Sequence, residues 1–206
     1  MSQNNFYFQN SRWLLITTLL YFSSSFGQTF FIAIFAGAIR EEFAISHTIW
    51  GTIYAIGTLS SAVLMFKFGG FADKKEPRRL GSIIIISLAV SCFGMMLVQH
   101  AWVLPLLIFG LRFFGQGFAS HLSMVLCGRW FHRNRGRTVA VTSLGFAFGE
   151  AFLPLIFVSI MGWIGWRYSW GIAALLLLLV ALFFKILLNN ERTPKSAIDN
   201  LSLIHI

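Results

Sequence analysis

The stretch Gly69-Gly-Phe-Ala-Asp-Lys-Lys-Glu-Pro-Arg-Arg-Leu80 joins two long apolar runs and places four cations and two anions in one short connection. Apolar runs of membrane-spanning length that are joined by so short and basic a turn are typical of a helical hairpin in a bilayer. The excess of Lys and Arg predicts that this turn lies on the cytoplasmic side. The stretch therefore indicates a polytopic membrane protein built from α-helices.

Composition favours a membrane domain over a soluble one. Of 206 residues, 57% are hydrophobic and only 11% are charged, and the mean hydropathy is +0.74. A soluble domain carries about a quarter charged residues. The formal charge of +9 does not predict nucleic-acid binding, because the cations lie in short connections between apolar runs. Cys92 and Cys127 fall inside apolar runs, which favours packing over a disulfide.

Apolar runs with at most one charged residue each predict six spans, and each is long enough to cross about 30 Å of hydrocarbon at about 1.5 Å per residue. The polar stretch Gln99 to Trp102 favours a turn between the third and fourth runs. The expected domains are a cytoplasmic N-terminus over 1–12, a transmembrane domain over 13–188 and a cytoplasmic tail over 189–206. The predicted spans are Trp13 to Ile39, Ser46 to Phe68, Leu80 to Val98, Trp102 to Gly128, Thr138 to Met161 and Tyr168 to Leu188.

The connections between spans differ strongly in charge. One side has Arg40 and Arg167, with Glu41 and Glu42 beside the first. The other side carries most of the cations, which predicts that both termini lie in the cytoplasm. A plasma or inner membrane is the default expectation, because no organelle-targeting segment is apparent. The cations of that side are Arg12, the clusters from Lys74 to Arg79 and from Arg129 to Arg137, and Lys185, Arg192 and Lys195.

The opening stretch resembles the hairpin motif of the major facilitator superfamily, in which a Gly and an Asp precede basic residues and a Leu. Glu76 stands where the family usually has a second Gly, and Pro77 where a cation is common. The resemblance implies the N-terminal six-helix half of a transporter that works by alternating access. The matching positions are Gly69, Phe71, Ala72, Asp73, Lys74, Arg78, Arg79 and Leu80.

In that family the acid contacts the other half of the transporter and helps to hold one conformation, so the resemblance implies a conformational gate. Asp73 ends a helix where the dipole is already negative and needs a cation, and Arg129 is the candidate partner. The alternative is that Asp73 only caps a turn and offsets nearby lysines. The expected gate residues are Gly69, Asp73, Lys74, Arg78, Arg79 and Arg129.

Two further stretches are similar to the family. Arg112-Phe-Phe-Gly-Gln-Gly117 is similar to its fourth-helix pattern, and Arg129-Trp-Phe followed by Arg135-Gly-Arg137 is similar to its passage into the fifth helix. The drug-antiporter branch commonly has Gly-Pro where this chain has Gly149-Glu150, which argues against a drug exporter. Gly145 and Gly149 would let the fifth helix approach a neighbour closely.

Arg112 and Glu150 are predicted to lie at similar depth in consecutive spans. A charge at a helix centre costs roughly 2.5 to 3.5 kcal/mol or more, so each should face protein or a water-filled cavity. Our hypothesis is that the two face one cavity or pair directly. In a transport role Arg112 binds an anionic group and Glu150 carries a coupling proton. In a structural role they form a buried strut that fixes helix register.

A polar stripe runs along the fourth span at helical spacing. In the family the first and fourth helices line the central cavity, so the resemblance implies Gln28, Arg112 and Gln116 as substrate contacts. Interhelical hydrogen bonding is the alternative for Gln28 and Ser120. His121 projects roughly opposite Arg112 on an α-helical wheel, which favours a packing role. The stripe consists of Arg112, Gln116, Ser120 and Ser123.

Enzyme motifs are missing from the sequence: it has no HExxH, G-x-S-x-G, P-loop or paired-cysteine pattern. We expect neither a metal site nor a cofactor. The predicted function is ion-coupled secondary transport of a small solute, with a small organic anion preferred because of Arg112 and a proton as the candidate coupling ion. The alternative is a non-transporting interaction or scaffold protein.

The predicted partners are the lipid bilayer, the solute and a second half. Major facilitators consist of two six-helix halves with the substrate site between them. The expected second half is either a missing C-terminal half or another copy of this chain. The polar segment 189–206 is interpreted as the start of a central loop or a truncated end.

Overall fold

A computed structural model describes residues 3–188 of the chain. Within this part every regular element is a helix, which confirms the all-α fold. Five helices are long and apolar enough to cross a membrane. The predicted tail over 189–206 lies outside the described residues. The first four of these helices are span 1 (Ser11–Ala33), span 2 (His47–Phe68), span 3 (Pro77–Leu97) and span 4 (Ala101–Trp130), and the fifth is Arg135–Leu187.

The fifth helix is two spans that meet at Gly165. This residue has φ 81° and ψ 166°, which only glycine adopts readily. An unbroken helix of 53 residues would be about 80 Å long, more than twice the thickness of a bilayer core. Its two ends lie at the same end of the bundle. Arg135 approaches Gly128 of span 4, and Leu187 accepts from Arg12, whose neighbour Trp13 packs against Trp130 of span 4. We therefore divide it into span 5 (135–164) and span 6 (166–187), which gives the six predicted spans.

Irregular segments interrupt two of the spans. Span 1 was expected to be continuous to Ile39, but Gln28 leaves the helix with φ −82° and ψ 156°. Span 1 contains Ser11–Ser24, a 3₁₀ turn at Ser25–Gly27 and Thr29–Ala33, with Gln3–Gln9 before it and Ala36–Glu42 after it. Span 4 contains a 3₁₀ turn at Ala101–Val103, an α-helix at Leu104–Gly110, a π-helix at Leu111–Ala119 and an α-helix at Ser120–Trp130.

The basic hairpin is more helical than the sequence predicts. Its turn contains the short helix Phe71–Lys74, and span 3 begins at Pro77 rather than at Leu80. Proline suits a first helical position, because its fixed φ matches the helix and its missing N–H has no partner there in any case. Arg78 and Arg79 therefore project from a helix and do not belong to the turn.

The core joins span 1 to spans 5 and 6 through aromatic rings. Phe31 packs edge-on against Phe26, Phe157 and Trp170, with ring centroids 4.9 to 5.3 Å apart. Edge-to-face rings contribute about 0.5 to 1.5 kcal/mol per pair beyond the area they bury. This cluster fixes the position of span 1 immediately after its break at Gln28.

Glycines set the closest helix contacts, as their spacing predicts. A Cβ on Gly115 would come within 2.7 Å of the Gly27 Cα, so spans 1 and 4 touch backbone to backbone. A Cβ on Gly145 would clash with the carbonyl oxygen of Thr18, so span 5 meets span 1 in the same way. Because backbone atoms cannot move aside easily, any larger residue at these positions forces the helices apart.

The two ends of the bundle differ in charge as the sequence indicates. Arg12 donates to the Leu187 carbonyl at the hairpin end, where Arg129 donates to the Lys75 carbonyl. At the opposite end Arg167 pairs with Glu42. The fold thus collects basic residues from distant parts of the sequence at one end. Which side of a membrane this end faces stays a prediction.

Candidate functional site

The break in span 1 supplies acceptors for Arg112. At Gln28 the chain leaves the helix, so the Gly27 carbonyl is available outside the helical ladder. The Arg112 Nη1 donates to this carbonyl oxygen and to Thr29 Oγ1, each at 3.2 Å. Tyr54 donates its hydroxyl to the same Thr29 oxygen at 2.9 Å. The first span therefore contacts Arg112 through Gly27 and Thr29, and Gln28 provides the backbone break.

Arg112 is buried without an acidic partner. Its residue is 7% exposed, and its Nε has no hydrogen-bond partner. The guanidinium carbon lies 5.5 Å from the centre of the Tyr54 ring, which provides a cation–π contact. Among residues 3–188 no carboxylate contacts this cation. Because a buried charge is costly unless it is fully paired, the site is left with an unsatisfied Nε donor and an uncompensated charge.

A cavity of about 430 Å³ lies between spans 1, 2 and 4 beside Arg112. Gln116 lies on its wall, as the sequence predicts, and neither Gln28 nor Glu150 lines it. Hydroxyl, amide and imidazole groups share the wall with apolar side chains. The lining residues are Tyr21, Thr58, Ser61, Ala62, Met65, Arg112, Gln116, Gly117, Ser120, His121 and Met124.

The π-helix at Leu111–Ala119 brings His121 to this cavity. On an α-helical wheel His121 faces away from Arg112, which favours a packed or hydrogen-bonded residue over a ligand. A π-helix makes i→i+5 bonds and holds more residues per turn, so it rotates the residues that follow. Each inserted residue rotates them by about 100° relative to an α-helix. His121 is exposed and lines the cavity together with Arg112, which corrects the packing assignment.

His121 also lies beside the basic hairpin. A Cβ on Gly69 would be 3.9 Å from the His121 Nε2, and the Gly69 N–H donates to the Met65 carbonyl at 2.8 Å. Met65 itself lines the cavity. The cavity wall therefore extends close to the first residue of the hairpin.

Glu150 does not pair directly with Arg112. No ion pair joins the two in the described part of the chain, and the Glu150 side chain is exposed. One turn away on span 5, Phe146 stacks on Tyr21 at a centroid distance of 5.2 Å and contacts Phe30 at 5.8 Å. Glu150 thus lies on the flank of span 5 that adjoins the Tyr21 wall. Matched depth was insufficient to predict pairing, because span 1 lies between the two charges.

Arg129 contacts the hairpin, but it does not form the ion pair with Asp73 for which it was the candidate. Its Nη1 donates to the carbonyl oxygens of Ala72 at 2.9 Å and Lys75 at 3.3 Å. Asp73 is exposed, and no ion pair connects it to Arg129 within residues 3–188. The arginine therefore fixes the backbone of the turn, and the Asp73 side chain stays exposed.

The expected gate residues fall on two surfaces. Lys74 and Arg129 line a pocket of about 550 Å³ with Trp130 and His132. Arg78 and Arg79 line a separate groove of about 380 Å³ between spans 3 and 6. The division follows from the early start of span 3, which rotates the two arginines away from the turn.

A second arginine site at the opposite end was not predicted. Arg167 donates to Glu42 Oε1 from Nε at 3.0 Å and from Nη2 at 2.6 Å. Its Nη1 also donates to the carbonyls of Met96 and Val98, while Trp166 Nε1 donates to Glu42 Oε2 at 2.6 Å. The hydrogen bonds from Arg167 lower the pKa of the Glu42 carboxyl. The sequence shows only a few acids and bases on that side. The packed fold is needed to identify Glu42 as the ion-pair partner of Arg167.

The comparisons with known proteins agree with this architecture. The sequence model of the Major Facilitator Superfamily matches residues 17–204. Among curated proteins, none matches the chain.

Within residues 3–188, no group of three or more His, Cys, Asp or Glu side chains could hold a metal ion.

Proposed function

The chain belongs to the major facilitator superfamily, and we propose that it forms one half of a secondary transporter that carries a small organic anion by alternating access. Family membership makes it an integral, multi-pass membrane transporter rather than an enzyme. Substrate class, coupling and half-transporter architecture are the parts that we propose. The observation that carries the substrate class is the buried and incompletely paired cation of Arg112.

An anionic solute group fits the needs of Arg112. The Nη1 atom is used by Gly27 and Thr29, whereas the Nε donor has no partner. A carboxylate or phosphate in the cavity would accept this hydrogen bond and compensate the charge. Charge-assisted hydrogen bonds of this kind contribute about 1.5 to 3 kcal/mol. Gln116 and His121 on the same wall offer further polar contacts to the rest of the solute.

The wall that carries Arg112 supports a two-half architecture. Major facilitators place the solute between two six-helix halves. The cavity is lined by spans 1, 2 and 4, and the exposed Glu150 on span 5 flanks it. We propose that a second six-helix unit, either further sequence or another copy of this chain, closes this face. Glu150 would then carry the coupling proton, since burial against that unit raises the pKa of a carboxylate.

The hairpin is proposed as the gate between the two halves. Asp73 is exposed and available to a second half, while Arg129 holds the turn that presents it. The basic end is proposed to face the cytoplasm because of its cations. The proximity of His121 to Gly69 gives a route by which solute in the cavity could influence the gate.

Flux into proteoliposomes tests the proposal. Wild-type protein should accumulate radiolabelled succinate and should not accumulate succinamide, which has the same carbon skeleton without the charges. Arg112→Gln should reduce succinate uptake by about 10- to 100-fold, the equivalent of one charge-assisted hydrogen bond. Gln116→Ala, on the same wall without a charge, is the matched control and should retain more uptake.

Three outcomes separate the alternatives. Flux of neither solute would favour a non-transporting scaffold. Equal flux of both in wild type and Arg112→Gln would refute the anion proposal. Glu150→Gln should abolish acceleration of uptake by an inward proton gradient while keeping succinate exchange, and an unchanged gradient response would remove Glu150 from coupling.

A further inference from the structure

We propose that the groove between spans 3 and 6 at the hairpin end binds the headgroup of an anionic phospholipid. The groove has a volume of about 380 Å³ and is formed at the ends of both spans. Its polar part consists of Arg78 and Arg79 from span 3 and Lys185 from span 6, with Glu76 at the rim. It lies apart from the cavity at Arg112, so this proposal does not depend on the identity of the transported solute.

Charge at the groove favours an anion. Three cations from two helices face one carboxylate, so the groove keeps a positive excess even if Glu76 engages one of them. Arg79 and Lys185 are exposed at the ends of their spans. Basic side chains at span ends extend to the membrane surface, where anionic headgroups attract them.

The apolar floor distinguishes a lipid from a soluble anion. Ile83 and Ile86 line the groove directly below the cations and are 50% and 37% exposed. The exposed face continues along span 3 at Val90, which is 64% exposed, and along span 6 at Leu182, which is 58% exposed. A free phosphate could contact the cations but not this apolar surface. An acyl chain that runs down from the headgroup would cover it.

The floor of the groove is rigid enough to act as a site. A Cβ on Gly81 would overlap the ring of Phe184, so spans 3 and 6 meet closely at this level. Span 3 begins at Pro77, which fixes the direction in which Arg78 and Arg79 leave the helix. The cations therefore approach the headgroup from two elements held in a fixed relation.

Lipid titration of the full chain in detergent tests the site. Native mass spectrometry should show that phosphatidylglycerol binds more tightly than phosphatidylcholine with the same acyl chains. The double variant Arg79→Gln/Lys185→Gln should weaken phosphatidylglycerol binding by about 25-fold, on the basis of roughly fivefold per basic residue at an anionic surface. Arg133→Gln/Arg137→Gln removes the same charge from exposed positions outside the groove and should change binding less than threefold.

Several results would overturn the proposal. Equal losses in both double variants would mean a diffuse surface attraction without a site. Displacement of phosphatidylglycerol by millimolar inorganic phosphate would mean a site for a soluble anion. If the double variant fails to fold, Lys185→Gln alone should still lose about fivefold, because Lys185 is exposed near the end of span 6. Unchanged binding in that variant would contradict the proposal.

Discussion

Arg129 and Arg167 hold opposite ends of the same bundle with different chemistry. Arg167 of span 6 forms an ion pair with Glu42 of the helix after span 1, and it donates to the Met96 and Val98 carbonyls at the end of span 3. Arg129 donates only to carbonyls of the hairpin, and the nearby Asp73 carboxylate stays exposed. The Glu42 carboxylate is thus paired within this unit, whereas the Asp73 carboxylate at the opposite end has no ion-pair partner among residues 3–188.

The difference indicates that the Glu42 end keeps its helices in fixed positions, whereas the hairpin end can bind a second unit. An ion pair and carbonyl hydrogen bonds that converge on one arginine resist separation of the three segments. A turn held through its backbone keeps its shape while its carboxylate is left for an outside partner. Four experiments test this difference between the two ends, and they follow in order of decreasing expected effect.

Arg167→Met should lower the free energy of unfolding by about 2 kcal/mol, because it removes hydrogen bonds to two helices and leaves Glu42 without its cation. Thermal unfolding in detergent, followed by tryptophan fluorescence, measures the change. Arg167→Lys keeps the charge without the fork of donors and should recover only part of the loss. Wild-type stability in Arg167→Met would contradict a structural role for this end.

Lowering the pH should reduce the stability that the ion pair between Glu42 and Arg167 contributes. The pKa of Glu42 is lowered by its hydrogen bonds with Arg167, so the ion pair stabilises the fold above the ordinary carboxyl pKa of about 4.3. This contribution is lost as the pH falls through the lowered pKa. Unfolding midpoints measured from pH 7 to pH 3 should therefore converge for wild type and Glu42→Gln at the acid end. A constant difference across that range would exclude the titration.

Arg129→Gln should cost about 1 kcal/mol, less than Arg167→Met, because two carbonyl hydrogen bonds at a partly exposed turn are lost. Hydrogen exchange of the segment 71–76 should increase while exchange in spans 1 and 5 stays unchanged. Arg133→Gln removes an exposed cation of the same end and provides the control. Global rather than local loss of protection would show that the turn is part of the core.

Asp73→Asn should change the free energy of unfolding by less than about 0.5 kcal/mol, since the side chain is exposed and has no ion-pair partner within residues 3–188. If Asp73 engages a second half, as proposed, succinate flux should fall at least tenfold at unchanged stability. Lys74→Gln is the neighbouring control. A stability loss equal to that of Arg167→Met would erase the contrast between the two ends.

Much of the fold could be predicted because hydropathy acts locally. The six spans, the turn near Gln99 and the collection of cations at one end follow from the order of apolar and charged residues. Boundaries were less accurate. Pro77 starts span 3 before Leu80, and Gln28 breaks span 1, because capping and backbone packing decide these positions after hydropathy has fixed the span.

The site was only partly predictable. Arg112 and Gln116 do share a cavity wall, whereas among residues 3–188 no ion pair joins Arg112 to Glu150 or Arg129 to Asp73. Depth along a helix can be counted from the sequence. The direction of a side chain around the helix cannot be counted once a π-helix intervenes, and for this reason His121 was placed on the wrong face.

The sequence by itself determined that this chain is a bundle of apolar helices with one basic end and a buried arginine in the fourth span. Those properties depend on transfer free energies and on spacing along one chain, which are local quantities. The packing of the helices is what brings Gly27 and Thr29 to Arg112 as acceptors. It also places His121 at the same cavity and pairs Glu42 with Arg167. Hydrogen bonds need partners within about 3 Å, and that proximity between distant residues exists only after the helices have packed.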